Sequence, residues 1–391
     1  MNITERFFVE ALCAFVTENG EKLNTEGVEG KELLALSKRH SVGGIISYVL
    51  NRYDLFEDDE ISRELSSHYD KTLSVMLRRS LAAENLSRKF SKNNIAHIPF
   101  KGSTIASYYP VPELRVYSDV DMIVNEGDLK KIETLMSEKN FERSIADMGV
   151  VTCYKKGMEY YEFHTNLNIP DDEKKVFSKI WENAELLEGT SYRFGESFHL
   201  CYIVSHLEKH MRAGGAGIKM YLDIALYLKN AKNIDFSLVK EKLMECSLYK
   251  FFETVLWLCH KWFMTELPFE ITPLGDEVYE ELCKFTLSAG VYGDHSKEAG
   301  LESALARTAK GSGKCSKLRF VLSRAFPRAG ELYRMYPKYE GKPLLLPLAW
   351  FTHLFSFLRK DKRKNIKAVL ATDVESAVSR RDFLVSLGCK N

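Results

Sequence analysis

Apolar residues recur at helical spacing from the start of the chain to about residue 90. Phe7, Leu12, Phe15 and Val16 define one helix, Leu33, Leu34 and Leu36 a second, and Ile45, Ile46, Val49 and Leu50 a third. The pattern stays helical from Glu57 to Phe90, and no strand signal precedes Ile95. There the character changes. Ile95 to Phe100 is a short apolar run with β-branched residues that ends in Lys101-Gly102-Ser103, which predicts a buried strand entering a turn. Pro99 within it suits an edge or a strand end. Thr104 to Tyr109 reads as a short helix stopped by Pro110, and Val111 to Tyr117 as a loop. Ser118 to Val124 alternates and then turns apolar, as a strand does; Asp128 to Lys139 places Leu129, Ile132, Leu135 and Met136 on one helical face. Phe141–Ile145, Val150–Tyr154 and Met158–Leu167 follow as strand candidates. From Glu173 the helical pattern returns and runs to about Leu384, with glycines between Ala213 and Gly217 interrupting it.

The pattern therefore predicts a helical region over 1–92, a compact α+β core over 93–172 and a second helical region over 173–391. A length of 391 residues accommodates two or three subdomains. The formal net charge of +1 provides no global field toward nucleic acid or an anionic membrane. Eight scattered cysteines without a CxxC pair read as free thiols in a reducing compartment, and the amino terminus carries acids in place of a signal peptide's apolar segment. A cytoplasmic location is the expectation. Pro343 to Leu358 is too short to span a bilayer and reads as a buried helix, or as a membrane-surface helix given the basic run from Arg359 to Lys367.

Candidate chemistry begins with Asp119 and Asp121. At positions i and i+2 of a strand, both carboxylates point to one face. Their repulsion is relieved by a divalent cation, and Mg²⁺ is commonly held by one or two carboxylates plus substrate phosphates. A lone DxD pair is common on surfaces. Here, however, it follows a strand–Gly-Ser–helix turn, where glycine admits a phosphate close to the backbone and helix-start amides favour anions. Ser103 adds a hydroxyl, and Lys101 is either a phosphate-neutralising charge or a solvated turn residue. Glu162 on the last strand is the candidate third carboxylate, the alternative being an exposed acid on an edge strand. His164 shares its face, as a supporting group or as a ligand. His206 and His210 lie one turn apart on a helix, but Glu208 is misplaced for a zinc-binding HExxH. Lys310 to Lys314 resembles part of a phosphate-binding loop but lacks the first glycine and the final hydroxyl.

Lys101-Gly102-Ser103, Tyr108-Tyr109-Pro110, Arg115, Ser118-Asp119-Val120-Asp121 and Glu162-Phe163-His164 together resemble the uncharacterised-nucleotidyltransferase family of the polymerase-β-like superfamily. His206, His210, the glycines from Gly214 to Gly217, Lys219 and Asp223 extend the likeness, which runs from about 95 to 360 and is strongest at 98 to 124. The long gap between Ser103 and Asp119 departs from the broader superfamily and leaves Arg115 open between a phosphate contact and a structural ion pair. The resemblance implies a small mixed-sheet core flanked by helical regions. It implies that Asp119, Asp121 and Glu162 hold Mg²⁺ or Mn²⁺, and that Lys101, Gly102, Ser103 and Arg115 bind the nucleotide. His164, His206, His210, Lys219 and Asp223 would line the pocket. The reaction implied is transfer of an NMP from an NTP to a hydroxyl acceptor with release of pyrophosphate. The acceptor is a small molecule, sugar, protein or RNA end. The alternative is an inactive nucleotide-binding or protein-interaction module on the same fold.

Overall fold

The computed structural model describes residues 1–55, 60–146, 151–167, 169–291, 326–327, 329, 332, 335–339, 342–356 and 374–390. The sequence signals at Lys310–Lys314 and Arg359–Lys367 lie outside them, as do most of Lys317–Phe326 and the first residue of the strand expected at Val150. Two compact units emerge, one made of residues 1–208 and 216–291, the other of 209–215 and 292–391.

The first unit opens with helices α1 (Ile3–Thr17), α2 (Gly30–Arg39), α3 (Gly43–Arg52) and the long α4 (Glu60–Lys92). A capping box starts α1: the Asn2 side chain accepts from the Glu5 amide at 2.8 Å, and the Asn2 amide donates back to the Glu5 carboxylate at 2.9 Å. Then come β1 (His97–Phe100), α5 (Gly102–Ile105), β2 (Val120–Val124), α6 (Leu129–Ser137), β3 (Glu142–Ala146), β4 (Val151–Lys156) and β5 (Glu159–His164). The expected short helix after Phe100 divides into α5 and a 3-10 turn at Ala106–Tyr108. Next are α7 (Lys174–Phe177), β6 (Ala184–Glu188) and β7 (Ser191–Phe194), then α8 (Glu196–Ala213), α9 (Ile218–Asn230), α10 (Phe236–Glu245), α11 (Tyr249–Phe263) and α12 (Asp276–Ser288).

The strands form one mixed seven-stranded sheet in the order β3-β4-β5-β2-β1-β7-β6. The fold is α+β with helical flanks, as the pattern predicts, but the sheet recruits β6 and β7 from the stretch read as helical. That hairpin was hidden because Leu186 and Leu187 stand side by side, 61% and 62% exposed, and a register shift interrupts the pairing. No period-two alternation survives there. Pro99 is not at an edge: β1 lies between β2 and β7, and β7 pairs with it at His97, before the proline.

Register separates the two faces. Val120, Met122 and Val124 point into a core with Met76, Leu86 and Phe90 of α4, Ile132 and Met136 of α6, and Tyr154, Tyr161 and Phe163 of the meander. Phe90 packs on Phe163 at 5.5 Å between ring centroids. This apolar face anchors the sheet. It leaves Phe100, Asp121 and Glu162 in one row on the opposite face, because Phe100 pairs with Asp121 and Asp121 with Glu162. On that side Phe100 meets Tyr202 of α8 at 5.6 Å and Phe194 at 6.2 Å.

The second unit contains α13 (Leu346–Ser356) and α14 (Val374–Ser386). The helix expected to be buried around Pro347 is only half so: Ala349 packs with Leu332 and Tyr339, while Leu348, Phe351 and Phe355 are exposed. Among the described residues no helix is long and apolar enough to cross a membrane.

Candidate active site

The turn after β1 brings a charge to the carboxylates. Lys101 takes a left-handed backbone conformation (φ 58°), which L-residues adopt at a cost. Its ammonium donates to Asp121 Oδ1 at 2.7 Å. Gly102 follows because nothing larger fits: a Cβ there would lie 2.7 Å from Tyr117 Cβ and 2.8 Å from an Arg115 guanidinium nitrogen. Ser103 has a buried hydroxyl with no hydrogen-bond partner among the described residues, and it lines a cavity with Tyr117, Val120 and Met122 on the α4 side of the sheet.

Asp121 is 3% exposed. His164 Nε2 lies 2.9 Å from its Oδ1 and 3.5 Å from Glu162 Oε2. Burial alone would push the Asp121 carboxyl up, but the hydrogen bond to His164 and the Lys101 charge hold it below the ordinary carboxylate range. His164 shows the counterpart. Burial disfavours its charged form, yet the bonds to Asp121 and Glu162 raise its pKa. Burial likewise opposes the Lys101 ammonium, and its neighbours Tyr202, Asp121 and Glu162 outweigh that and raise it.

Asp119 precedes β2 by one residue, and its carboxyl is pushed up by burial and then by the negative charges of Asp121 and Glu162. Asp121 and Glu162 share one face, and Asp119 beside them is driven toward its protonated form by burial first and by their charges second. Ligand atoms of Asp121, Glu162 and His164 lie within 4.8 Å of one another. The carboxylate oxygens of Asp121 and Glu162 with the His164 ring nitrogen fit a divalent cation, and the raised carboxyl of Asp119 nearby would be eased by one.

Arg115 and Asp223 form a buried two-pronged ion pair, with Nε–Oδ1 at 2.9 Å and Nη2–Oδ2 at 2.8 Å. Tyr109 donates to the same carboxylate at 2.5 Å. Asp223 of α9 thereby fastens the loop carrying Tyr109 and Arg115. Lys219 Nζ stands 4.0 Å from Asp223. Burial first, and then the Arg115 charge, lower the Lys219 amine to about 8, against the pull of Asp223 and Asp119. His206 stacks on Tyr202 with centroids 6.0 Å apart. His210 belongs to the second unit. Sequence reasoning passed over Tyr202 and over His199, a fully buried ring that burial and then Arg115 push down to about 4. His199, Tyr202 and His206 recur at spacings of three and four on α8, a periodicity that was available.

A mixed sheet with a Gly-Ser turn after β1 and acids on the adjoining β2 and β5 is the arrangement that the resemblance to polymerase-β-like nucleotidyltransferases implies. The chain belongs to the uncharacterised nucleotidyltransferase family, whose model matches residues 26–264. That span runs from before α2 to the end of α11, so the family domain includes helices on both sides of the sheet. No curated protein and no solved structure matches the chain.

Proposed function

We propose that the chain is an Mg²⁺-dependent transferase, with Mn²⁺ as a substitute, that moves an NMP from an NTP to a hydroxyl acceptor and releases pyrophosphate. The observation that carries this reading is the meeting of Asp121, Glu162 and His164, whose ligand atoms lie within 4.8 Å of one another, near Asp119, whose carboxyl is raised by burial and then by the charges of Asp121 and Glu162. Asp119, Asp121 and Glu162 would hold the metal, which when bound supplies charge stabilisation for the triphosphate. Glu162 accepts the acceptor's proton. Gly102 and Lys101 meet the outgoing phosphates, with Lys101 exchanging Asp121 for phosphate oxygen. Ser103 joins them by turning its free hydroxyl toward the phosphates. The Tyr109–Asp223–Arg115 network fixes the loop leading to Asp119, so positioning costs little at the moment of reaction.

The test is pyrophosphate release from labelled NTPs with Mg²⁺ or Mn²⁺, in host lysate as a source of acceptors. Wild type is compared with the double variant Asp119→Ala, Asp121→Ala. Release that vanishes in the variant supports the transferase; no release and no metal-dependent NTP binding in either protein sinks it. A second reading has an observation of its own: the Lys101 ammonium already neutralises Asp121. An inactive nucleotide-binding module would bind NTP with metal and release no pyrophosphate.

A further inference from the structure

Beside the carboxylates lies a cavity of about 610 Å³ that the reaction outlined above leaves without an occupant. It is lined by Arg79, Arg143, Lys155, Glu142, Ser118 and Tyr160, among others. Its placement follows from register. Ser144, Cys153, Glu162 and Asp121 are successive partners across β3, β4, β5 and β2. Two residues along the same strands, Glu142, Lys155 and Tyr160 form the adjacent row on the same face. Two strand residues correspond to about 7 Å. Ser118 adjoins Asp119, and the Tyr160 hydroxyl hydrogen-bonds to Cys153 and Glu162. Tyr160 therefore joins the cavity wall to Glu162, which does not itself line the cavity. The cavity is lined by Glu142, Lys155 and Tyr160 from the acids' face, by Arg143 from the α4 face of β3, by Gly157 and Met158 of the β4–β5 turn and by Arg79 of α4, whereas the Lys101-Gly102-Ser103 turn lies beyond β2 on the other side of the acids.

Its charge is unbalanced toward positive. Arg79, Arg143 and Lys155 face a single lining carboxylate, Glu142, which pairs across the strands with Lys155. Arg143 is also 3.3 Å from Glu133. Arg79 is held rigidly: it donates to the Tyr117 carbonyl, and to the Met158 carbonyl at 3.2 Å, and its guanidinium lies 5.8 Å from the Tyr117 ring centroid. A fixed guanidinium loses little freedom on meeting an anion.

We propose that this cavity is the acceptor site and that the acceptor is a small phosphorylated alcohol. Its hydroxyl would sit at Glu162, and its phosphate among Lys155, Arg79 and Arg143. The volume suits a small molecule, and the net charge of +1 gives no field for a long polyanion. The inference rests on the transferase reading. In the step, the acceptor oxygen forms a bond to the α-phosphorus. The bond from that phosphorus to the oxygen bridging to the β-phosphorus breaks, its electron pair leaving with pyrophosphate. The hydroxyl proton passes to Glu162.

The experiment is calorimetric titration of the full chain, saturated with Mg²⁺ and an α,β-methylene NTP analogue. Glycerol 3-phosphate and ribose 5-phosphate are compared with glycerol, ribose and a short oligoribonucleotide. Wild type should bind the phosphorylated compounds, and the double variant Lys155→Glu, Arg143→Glu should bind them at least about tenfold more weakly with analogue binding unchanged. If that variant fails to fold, Lys155→Gln with Arg143→Gln replaces it. Binding no stronger than to the unphosphorylated compounds, equal binding by the variant, or preference for the oligoribonucleotide overturns the inference while leaving the transferase intact. Failure to bind the NTP analogue at all removes the transferase reading, and the acceptor site with it.

Discussion

Asp121 Oδ1 receives both the Lys101 ammonium at 2.7 Å and His164 Nε2 at 2.9 Å, so one atom carries the charge balance of the site. A cation approaching Asp121 must compete with the ammonium. Lys101→Met should therefore tighten Mn²⁺ binding to the nucleotide-free protein by about tenfold while weakening NTP binding. Titration followed by electron paramagnetic resonance reads this, and unchanged Mn²⁺ affinity would remove Lys101 as a competitor. At Asp119 burial and the charges of Asp121 and Glu162 outweigh the Lys101 charge and a hydrogen bond to Ser118, and its raised carboxyl marks it as the acid that gains most from a metal. Its loss together with Asp121 should lower pyrophosphate release by at least about 10²-fold, measured in the assay described above. Asp121 was legible because a strand's period of two sets it opposite Val120 and Met122, whereas Asp119, expected on the same strand, lies one residue before it. The Lys101–Asp121 contact was not, since it depends on a left-handed turn that nothing in the residue type requires.

Elements position these groups through a few buried links. Asp223 on α9 grips Arg115 and Tyr109, tying a helix to the loop before β2. Asp223→Asn would leave Arg115 and Lys219 with uncompensated buried charge. It should cost about 3–5 kcal/mol, read from urea unfolding of wild type and variant. A cost below about 1 kcal/mol would mean that water reaches the pair. The sheet shows the same dependence on partners. β1, β2, β4 and β5 announced themselves by apolar runs and alternation, because each buries residues in the sheet's core, while β3 is exposed, Ile145 at 59%. The β6–β7 hairpin has its large apolar residues exposed, so only pairing with β1 reveals it.

Across the first unit, two buried histidines make stability depend on pH. Burial depresses His40 to about 4, despite its hydrogen bond to the Leu287 carbonyl, and depresses His199 to about 4. Their unfolded value is 6.5. Between these limits the unfolded chain binds more protons, so stability falls as pH drops from about 6.5 toward 4. Each histidine should contribute a loss of about 2 kcal/mol between pH 7 and pH 5. Urea unfolding at the two pH values measures it, and His199→Phe should remove its share. A flat profile in wild type would contradict the burial of both rings in the neutral form. At this scale the sequence by itself determined the α+β class and the helical flanks, and it named Asp119, Asp121 and Glu162 as candidates. All of these follow from local periodicity and from chemistry carried by residues close in the chain. Only the tertiary structure decided that Asp223 binds Arg115, 108 positions away, that β6 and β7 complete the sheet, and that Arg79 of α4, Arg143 of β3 and Lys155 of β4 line one cavity. Those depend on which elements pack together, and long-range packing leaves no period in the sequence to read.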